Sequence, residues 1–234
     1  MRKPISFLLV LVLCLSLVLG SLPRARAATG DEIRAAKKII SVVYDDSGSM
    51  GGERWVYANY AMQALTAQLN AQDELYITYM SQPGTASKVS LSDISGAVSD
   101  IRNWTQSGNT PIQAVDTAKD KLDSISESDS AVQFWLVILT DGDFGSNVIQ
   151  NRLSSFKGSR MSNGSTLNIV YLAMGQGANT ASADERKGLY TYHAKDTRDI
   201  NDAMAEIANL VSSRIRADKL KQVDDTTVSF RSDL

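Results

Sequence analysis

The chain has 234 residues, of which 43% are hydrophobic and 21% charged, and its net charge is −2. This composition is typical of a globular α/β or α+β protein and excludes a disordered chain, a collagen-like repeat and a long coiled coil. Cys14 is the only cysteine and His193 the only histidine, so a metal site here would use mostly oxygen ligands, which favour hard cations.

The N-terminal residues have the pattern of a secretory signal peptide. Basic residues precede an apolar run over residues 5–20, and the small-x-small triplet 25–27 follows. We predict cleavage after Ala27, with an uncleaved membrane anchor as the alternative. Cleavage would remove Cys14 and four basic residues, leaving 20 basic against 26 acidic residues and a net charge of −6. An exported, mildly acidic protein is therefore expected, which argues against nucleic-acid binding and binding to anionic membranes.

From residue 37 onwards the chain alternates between strand-like and helix-like segments. Residues 38–44 are β-branched and nearly continuously apolar, as expected for a buried central strand. Other strands are predicted over residues 75–80, 132–139 and 167–174, with a short edge strand over residues 86–91. Helices are predicted over residues 53–70, 92–103, 147–156 and 200–215, and from residue 111. This alternation implies a doubly wound, mostly parallel α/β sheet with helices on both faces.

Three polar loops are predicted to meet at the carboxyl edge of this sheet. The first strand is followed by DDSGSM (residues 45–50), and strand 132–139 is followed by TDGD (residues 140–143). Between them along the chain, GNTP (residues 108–111) opens a helix. Ligands of open α/β sheets bind at this edge, where the strand order reverses. If strands 38–44 and 132–139 are neighbours at that point, the three loops converge.

The motifs D-x-S-x-S, G-x-T and T-D-G in these loops resemble the metal-ion-dependent adhesion site (MIDAS) of von Willebrand factor type A (VWA) domains. The resemblance covers about residues 35–215, in the family's order. It implies one short antiparallel edge strand in the sheet, which segment 86–91 would supply. It also implies five metal ligands, namely Asp45, Ser47, Ser49, Thr110 and Asp141. Residues 1–27 would then be the signal segment, and residues 216–234 a polar tail or the start of a further domain.

These ligand types suit Mg²⁺, with Mn²⁺ or Ca²⁺ as alternatives. Asp45, Ser47 and Ser49 are alternate residues of one segment, so their side chains can face one ion. Mg²⁺ takes six oxygen ligands at about 2.1 Å. Three hydroxyls ligate without neutralising the ion, and two carboxylates supply at most two negative charges. One position would remain for an Asp or Glu carboxylate of a partner protein.

The resemblance thus implies an exported, non-enzymatic adhesion or assembly module of a bacterial cell surface, which binds a protein with an exposed acidic residue. Nucleic acid is not an expected partner. Membrane contact is expected only through an uncleaved N-terminal anchor or a missing C-terminal region. Asp46 occupies a free position of the motif and is given no ligand role.

Other interpretations of the same residues stay open. Thr110 before Pro111 could be a helix N-cap, and the two serines could be turn residues of a metal-free scaffold domain. The main enzymatic alternative is an Mg²⁺-dependent phosphatase or phosphotransferase with Asp45 as nucleophile. Such enzymes would require a second acidic residue two positions after the nucleophile, and this chain has Ser47 at that position.

Asp45 and Asp141 are harder to explain structurally, because carboxylates at the ends of buried strands are costly unless they are paired or coordinated. A large distance between Asp45 and Asp141, or a lysine or arginine that fills the gap between them, would end the metal hypothesis. Structural or surface roles are expected for three further groups: Asp143 as a loop acid, His193 near an edge strand, and Trp55 with Tyr57 and Tyr60 as packing residues of the first helix.

Overall fold

The computed structural model describes residues 36–92, 108–142, 144, 147–196, 199, 202–203, 205–207 and 210. All of them belong to one compact unit of the chain, Ala35–Leu234. The predicted signal segment, nearly all of the predicted helix 92–103 and the predicted tail lie outside the described residues. Among the helices that are described, none is long and apolar enough to cross a membrane.

Six strands form one sheet. They are β1 (Lys38–Tyr44), β2 (Glu74–Tyr79), β3 (Ser87–Val89), β4 (Gln133–Thr140), β5 (Asn168–Met174) and β6 (Leu189–Ala194). Their order across the sheet is β3-β2-β1-β4-β5-β6. β3 runs antiparallel to β2, and all other neighbouring pairs are parallel. The predicted mostly parallel sheet with one short antiparallel edge strand is confirmed, and the strand order reverses between β1 and β4, as expected.

Within the described ranges, three α-helices connect the strands: α1 (Glu53–Ala67), α2 (Gln113–Asp123) and α3 (Val148–Phe156). Residues 199, 202–203, 205–207 and 210 are also helical and fall within the predicted C-terminal helix. α1 ends three residues earlier than predicted, because the N–H groups of Gln68 and Leu69 bond to carbonyls three residues back and close the helix. Leu69 stays buried and so continues the apolar spacing on which the prediction relied.

Apolar side chains cover both faces of the sheet. All seven residues of β1 are buried, as its β-branched sequence predicts. One face packs on α1 and on the C-terminal helical residues, through Ile40, Val42, Trp135, Leu172, Met62, Leu65, Ala203 and Ile207. The other packs on α2 and α3, through Ile39, Val43, Leu136, Ile169, Val115, Leu122, Ile149 and Leu153. With helices on both faces of the described sheet, a binding site is expected in the loops at the two ends of its strands.

The amino ends of β1 and β2 are joined by the buried carboxylate of Asp73. Its Oδ1 accepts a hydrogen bond from the backbone N–H of Lys38 (2.8 Å), and its Oδ2 accepts one from the backbone N–H of Asn70 (2.9 Å). The Lys38 ammonium lies 3.7 Å from Oδ2, and the two side chains are only 7% and 0% exposed. Each charge of this pair therefore depends on the other for compensation.

A second acidic residue at this edge, Glu74, gives the fold a predictable pH dependence. Its carboxylate pairs with the ammonium groups of Lys37 (2.8 Å) and Lys88 (3.0 Å) and accepts a hydrogen bond from the Tyr76 hydroxyl (2.6 Å). The hydrogen bonds from Lys37 and then Tyr76 lower the pKa of Glu74 from 4.5 to about 2. A lowered pKa means that the folded state prefers the ionised form, so this stability is present above pH 4.5 and is lost as the pH falls towards 2.

We expect Glu74→Gln to remove about 1 to 2 kcal/mol of this pH-dependent stability, since solvent screens the partly exposed ammonium groups. Urea unfolding of both proteins between pH 6 and pH 2.5 measures the effect. The difference in free energy of unfolding should shrink below pH 4.5. Glu53→Gln, at an exposed position of α1, is the control and should leave the profile unchanged. A constant difference between Glu74→Gln and wild type across this range would contradict the assignment.

Candidate metal centre

Asp45 directly follows β1 and is completely buried. Its backbone N–H donates to the Leu139 carbonyl of β4 (3.1 Å), and its Oδ2 accepts a hydrogen bond from Thr140 Oγ1 (2.6 Å). Its Oδ1 accepts one from the backbone N–H of Ser47 (3.0 Å). Burial raises the pKa of Asp45 against the opposing effect of these hydrogen bonds, and the charge of nearby Asp141 raises it further. The ends of β1 and β4 thus hold two acids close together.

The two serines of the first loop lie side by side. Ser47 is buried, Ser49 is exposed, and their Oγ atoms are 3.0 Å apart. Ser49 lies within a single 3-10 turn (Gly48–Met50), whose last side chain, Met50, is buried in the core and anchors the loop. Adjacent ligands of an octahedral ion at about 2.1 Å lie about 3.0 Å from each other. The hydroxyl spacing therefore fits two ligands of one ion as well as it fits a hydrogen bond.

Asp141 follows β4 in the third loop, with a side chain that is 4% exposed. Its Oδ1 is buried and has no hydrogen-bond partner among the described residues. The turn after it is shaped by Thr140, whose Oγ1 accepts a hydrogen bond from the Gly142 backbone N–H (2.9 Å). A buried carboxylate oxygen without a donor is costly, and a cation would compensate it.

The loop after β5 is hydrogen-bonded to the third loop and holds it in place. The side-chain amide of Asn179 donates to the Gly142 carbonyl, and the Tyr171 hydroxyl donates to the Asn179 carbonyl (2.6 Å). Burial raises the pKa of Tyr171, and the charges of Asp141 and Asp45 raise it further. The phenol therefore stays in its neutral form and serves as a hydrogen-bond donor to this loop.

Thr110 lies three residues before α2 and is half-buried. α2 leads through a loop into the amino end of β4, so the N-terminus of α2 points to the carboxyl edge of the sheet. Gly84, which follows β2, lies beside this N-terminus, since a Cβ built on it would be 3.6 Å from Gln113 Nε2. The helix begins at Gln113 with Ile112 in the N-cap position, so Thr110 does not occupy that position. The structure brings Asp45, Ser47, Ser49 and Asp141 to one edge, and the placement of Thr110 beside them stays a prediction.

Arg54, in the first turn of α1, is a site residue that the sequence analysis missed. Its Nη1 donates to Asp141 Oδ2 (2.9 Å) and to the Ser49 carbonyl (3.1 Å). A Cβ on Gly175, after β5, would lie 2.9 Å from Arg54 Nε, so the guanidinium lies against that backbone. The helix dipole favours acidic side chains in the first turn of a helix and disfavours basic ones. An arginine in this position is therefore a sign that it pairs with an acidic group outside the helix.

This arginine bears directly on the metal hypothesis. The Arg54 guanidinium compensates the negative charge at Asp141 Oδ2, which speaks against a cation at that oxygen. It leaves Asp141 Oδ1 without a donor, and no ion pair reaches Asp45 within the part of the chain that the structure describes. Arg54 therefore compensates one oxygen of Asp141 and does not reach the Asp45 carboxylate.

The remaining predicted residues have structural surroundings. Asp46 is buried and accepts hydrogen bonds from Ser81 N–H (2.9 Å) and Oγ (2.5 Å), which tie the first loop to the end of β2. His193 Nε2 lies 2.9 Å from the Gly175 carbonyl. The Trp55 ring stacks on that of Tyr44 at 5.2 Å, and Trp55 and Tyr57 pack against the core. Tyr60, by contrast, is 53% exposed and does not pack as predicted, and Asp143 lies outside the described residues.

The donor set fits a hard divalent cation. In the described part of the chain no group of three or more His, Cys, Asp or Glu side chains could hold a metal. The site instead combines two carboxylates with hydroxyls, which are ligands of Mg²⁺, Mn²⁺ or Ca²⁺ and not of soft metals. Asp45, Ser47, Ser49 and Asp141, with Thr110, could hold such an ion.

Comparison with known proteins identifies the fold. The chain matches no protein-family model and no curated protein sequence. Among solved structures it resembles an aerotolerance-related membrane protein from Bacteroides fragilis (14% identity, TM-score 0.51), over 76% of this chain and 99% of that one. It also resembles a von Willebrand factor type A protein from Catenulispora acidiphila (13% identity, TM-score 0.51), over 76% of this chain and 43% of the other.

A third similar structure is proximal thread matrix protein 1 from the mussel byssus, with a zinc-occupied MIDAS motif. The identity is 18% and the TM-score 0.53, over 76% of this chain and 46% of the mussel chain. These likenesses, together with the strand order, show that the chain has the VWA fold.

Proposed function

We propose that this protein is an exported, non-enzymatic protein-interaction module that binds a divalent cation, Mg²⁺ in the first place, and uses it to engage an acidic residue of a partner protein. Asp45, Ser47, Ser49, Thr110 and Asp141 would hold the ion. The single observation that carries the proposal is Asp141 Oδ1, a buried carboxylate oxygen without a hydrogen-bond donor, at the same edge as completely buried Asp45.

The chain's own residues account for the positioning that such a site needs. Thr140 and the Ser47 N–H orient the Asp45 carboxylate, and buried Met50 fixes the serine loop. Exposed Ser49 marks the side from which a partner can approach. When bound, the ion supplies a Lewis-acidic position for an outside carboxylate oxygen.

The similar structures support the proposal by their descriptions. One of them carries a zinc-occupied MIDAS motif, and another is a membrane protein, which agrees with an envelope location for this chain. The predicted signal segment supports export independently. Each likeness is below 25% identity, so the function rests on the residues of this site.

The test is a Mn²⁺ titration of the purified protein, followed by thermal unfolding. At about 100 times the Kd, binding should stabilise the fold by about 2.7 kcal/mol, which raises the Tm by about 5 to 10 °C for a domain of this size. Asp141→Ala should fold and lose this response, because it removes a ligand and not a core side chain.

Asp116→Ala is the matched control, because Asp116 pairs with Arg152 (3.1 Å) on α3 much as Asp141 pairs with Arg54. It should keep the Mn²⁺ response. An Asp141→Ala variant with the wild-type response would overturn the metal site. Phosphate release from a generic phosphomonoester would favour the phosphatase instead. Capture of partners from the native envelope, with and without chelator, then tests the metal dependence of partner binding.

A further inference from the structure

We propose that Arg54 is a built-in competitor of the divalent cation: it pairs with Asp141 Oδ2 and thereby lowers the affinity of the same carboxylate for a cation at Oδ1. This inference rests on the proposed metal site and adds a residue that sets its affinity. The guanidinium contacts all three strand ends that border the site. It donates to Asp141 after β4 and to the Ser49 carbonyl after β1, and it lies against Gly175 after β5.

Competition follows from charge and geometry. Arg54 Nη1 is 2.9 Å from Asp141 Oδ2, so the carboxylate already has a full counter-charge on one side. A divalent cation at the same carboxylate would face this positive charge at close range, where the repulsion is large. Charge-assisted hydrogen bonds are also the stronger kind, so the pair resists separation. Cation binding must therefore offset either this repulsion or the loss of the Arg54–Asp141 pair.

The position of Arg54 allows it to leave. Its side chain is 42% exposed, whereas that of Asp141 is 4% exposed, so only the arginine can move into solvent. It lies in the first turn of α1, where the helix dipole disfavours a positive charge. Its contacts with Asp141 and Ser49, not the helix, therefore hold it at the site.

Arg54→Gln removes the charge, and we expect it to tighten Mn²⁺ binding by about tenfold to 100-fold, the range that one charge-assisted hydrogen bond covers. The readout is the free Mn²⁺ signal in electron paramagnetic resonance at constant ionic strength, which counts bound ions without unfolding the protein. Arg54→Met, which keeps the apolar stem, serves if the glutamine variant does not fold. Circular dichroism checks the fold of each variant.

Arg152→Gln is the matched control. It breaks an arginine–aspartate pair on the α2–α3 side, and its side chain is 40% exposed, close to the value for Arg54. It should leave the Mn²⁺ Kd unchanged, so a general effect of net charge is recognised. In the Asp141→Ala background, Arg54→Gln should not restore Mn²⁺ binding, because the competition runs through that carboxylate.

The outcomes separate this inference from the proposed function. If the wild-type protein binds Mn²⁺ and Arg54→Gln binds it more tightly, both the metal site and the competitor role are supported. Wild-type binding with equal or weaker binding by Arg54→Gln overturns the competitor role and leaves the metal site standing. If only the Arg54 variant binds, the competitor role is supported, and the proposed metal function of the native chain is overturned. If neither protein binds Mn²⁺, the metal site fails and the inference fails with it.

Discussion

Gly142→Ala is expected to destabilise the protein by about 2 to 4 kcal/mol and to abolish the Mn²⁺ response. Gly142 has a φ of +84°, which an alanine adopts only with strain. A Cβ there would lie 2.5 Å from the Asn179 backbone nitrogen and 3.1 Å from its carbonyl oxygen. Because the obstacle is backbone, the loop after β5 must move away, and the support of the Asp141 turn is lost with it.

Urea unfolding gives the free energy, and Mn²⁺ titration gives the binding. The control is Gly177→Ala in the opposing loop, where a Cβ meets nothing within 4 Å. It should stay within about 0.5 kcal/mol of wild type. If Gly142→Ala is as stable as Gly177→Ala, the close contact between the two loops is wrong.

Asp73→Ala is expected to cost about 3 to 5 kcal/mol, because it leaves the buried ammonium of Lys38 without its partner. It also removes the acceptor for the backbone N–H groups of Lys38 and Asn70. The site at the opposite edge of the sheet should be unaffected. We therefore expect lower stability in urea with an unchanged Mn²⁺ Kd for the folded protein.

The double variant Lys38→Met/Asp73→Asn separates charge from shape. It removes both charges and keeps an oxygen acceptor for one of the two N–H groups, so it should recover part of the stability that Asp73→Ala loses. If the single and double variants are equally unstable, the ion pair is not the reason for the loss. A weakened Mn²⁺ Kd in Asp73→Ala would show that the two edges are coupled.

Sequence patterns predicted the sheet and the proximity of Asp45 and Asp141 well, because both depend on the apolar runs of single strands and on the loops that directly follow them. The continuous apolar run of β1 and that of β4 mark inner strands, and a polar loop after each must lie at the same edge. Proximity of Asp45 and Asp141 followed once β1 and β4 were placed as neighbours, and the strand order confirms it. The ligand role of the five predicted residues stays a prediction that the Mn²⁺ titration tests.

Two features could not be predicted, because they depend on tertiary contacts. Arg54 and Asp141 are 87 residues apart in the chain, and no local pattern joins them. Asp73 has the sequence of an ordinary turn residue, and only its burial against Lys38 reveals its role. In both cases a charged side chain forms an ion pair with a residue from a distant segment of the chain. Such a pairing cannot be derived from hydrophobic periodicity or motif spacing.

The sheet divides its tasks between its two ends. At the amino end, Asp73 holds β1 and β2 together, and at the carboxyl end, loops from β1, β4 and β5 carry the acids and Arg54. Because the core lies between these ends, exposed positions of the carboxyl-end loops can change while the scaffold stays intact. An engineered library there would vary exposed positions such as Ser49 and would keep Met50, which packs in the core, and Gly175, whose φ is +106°.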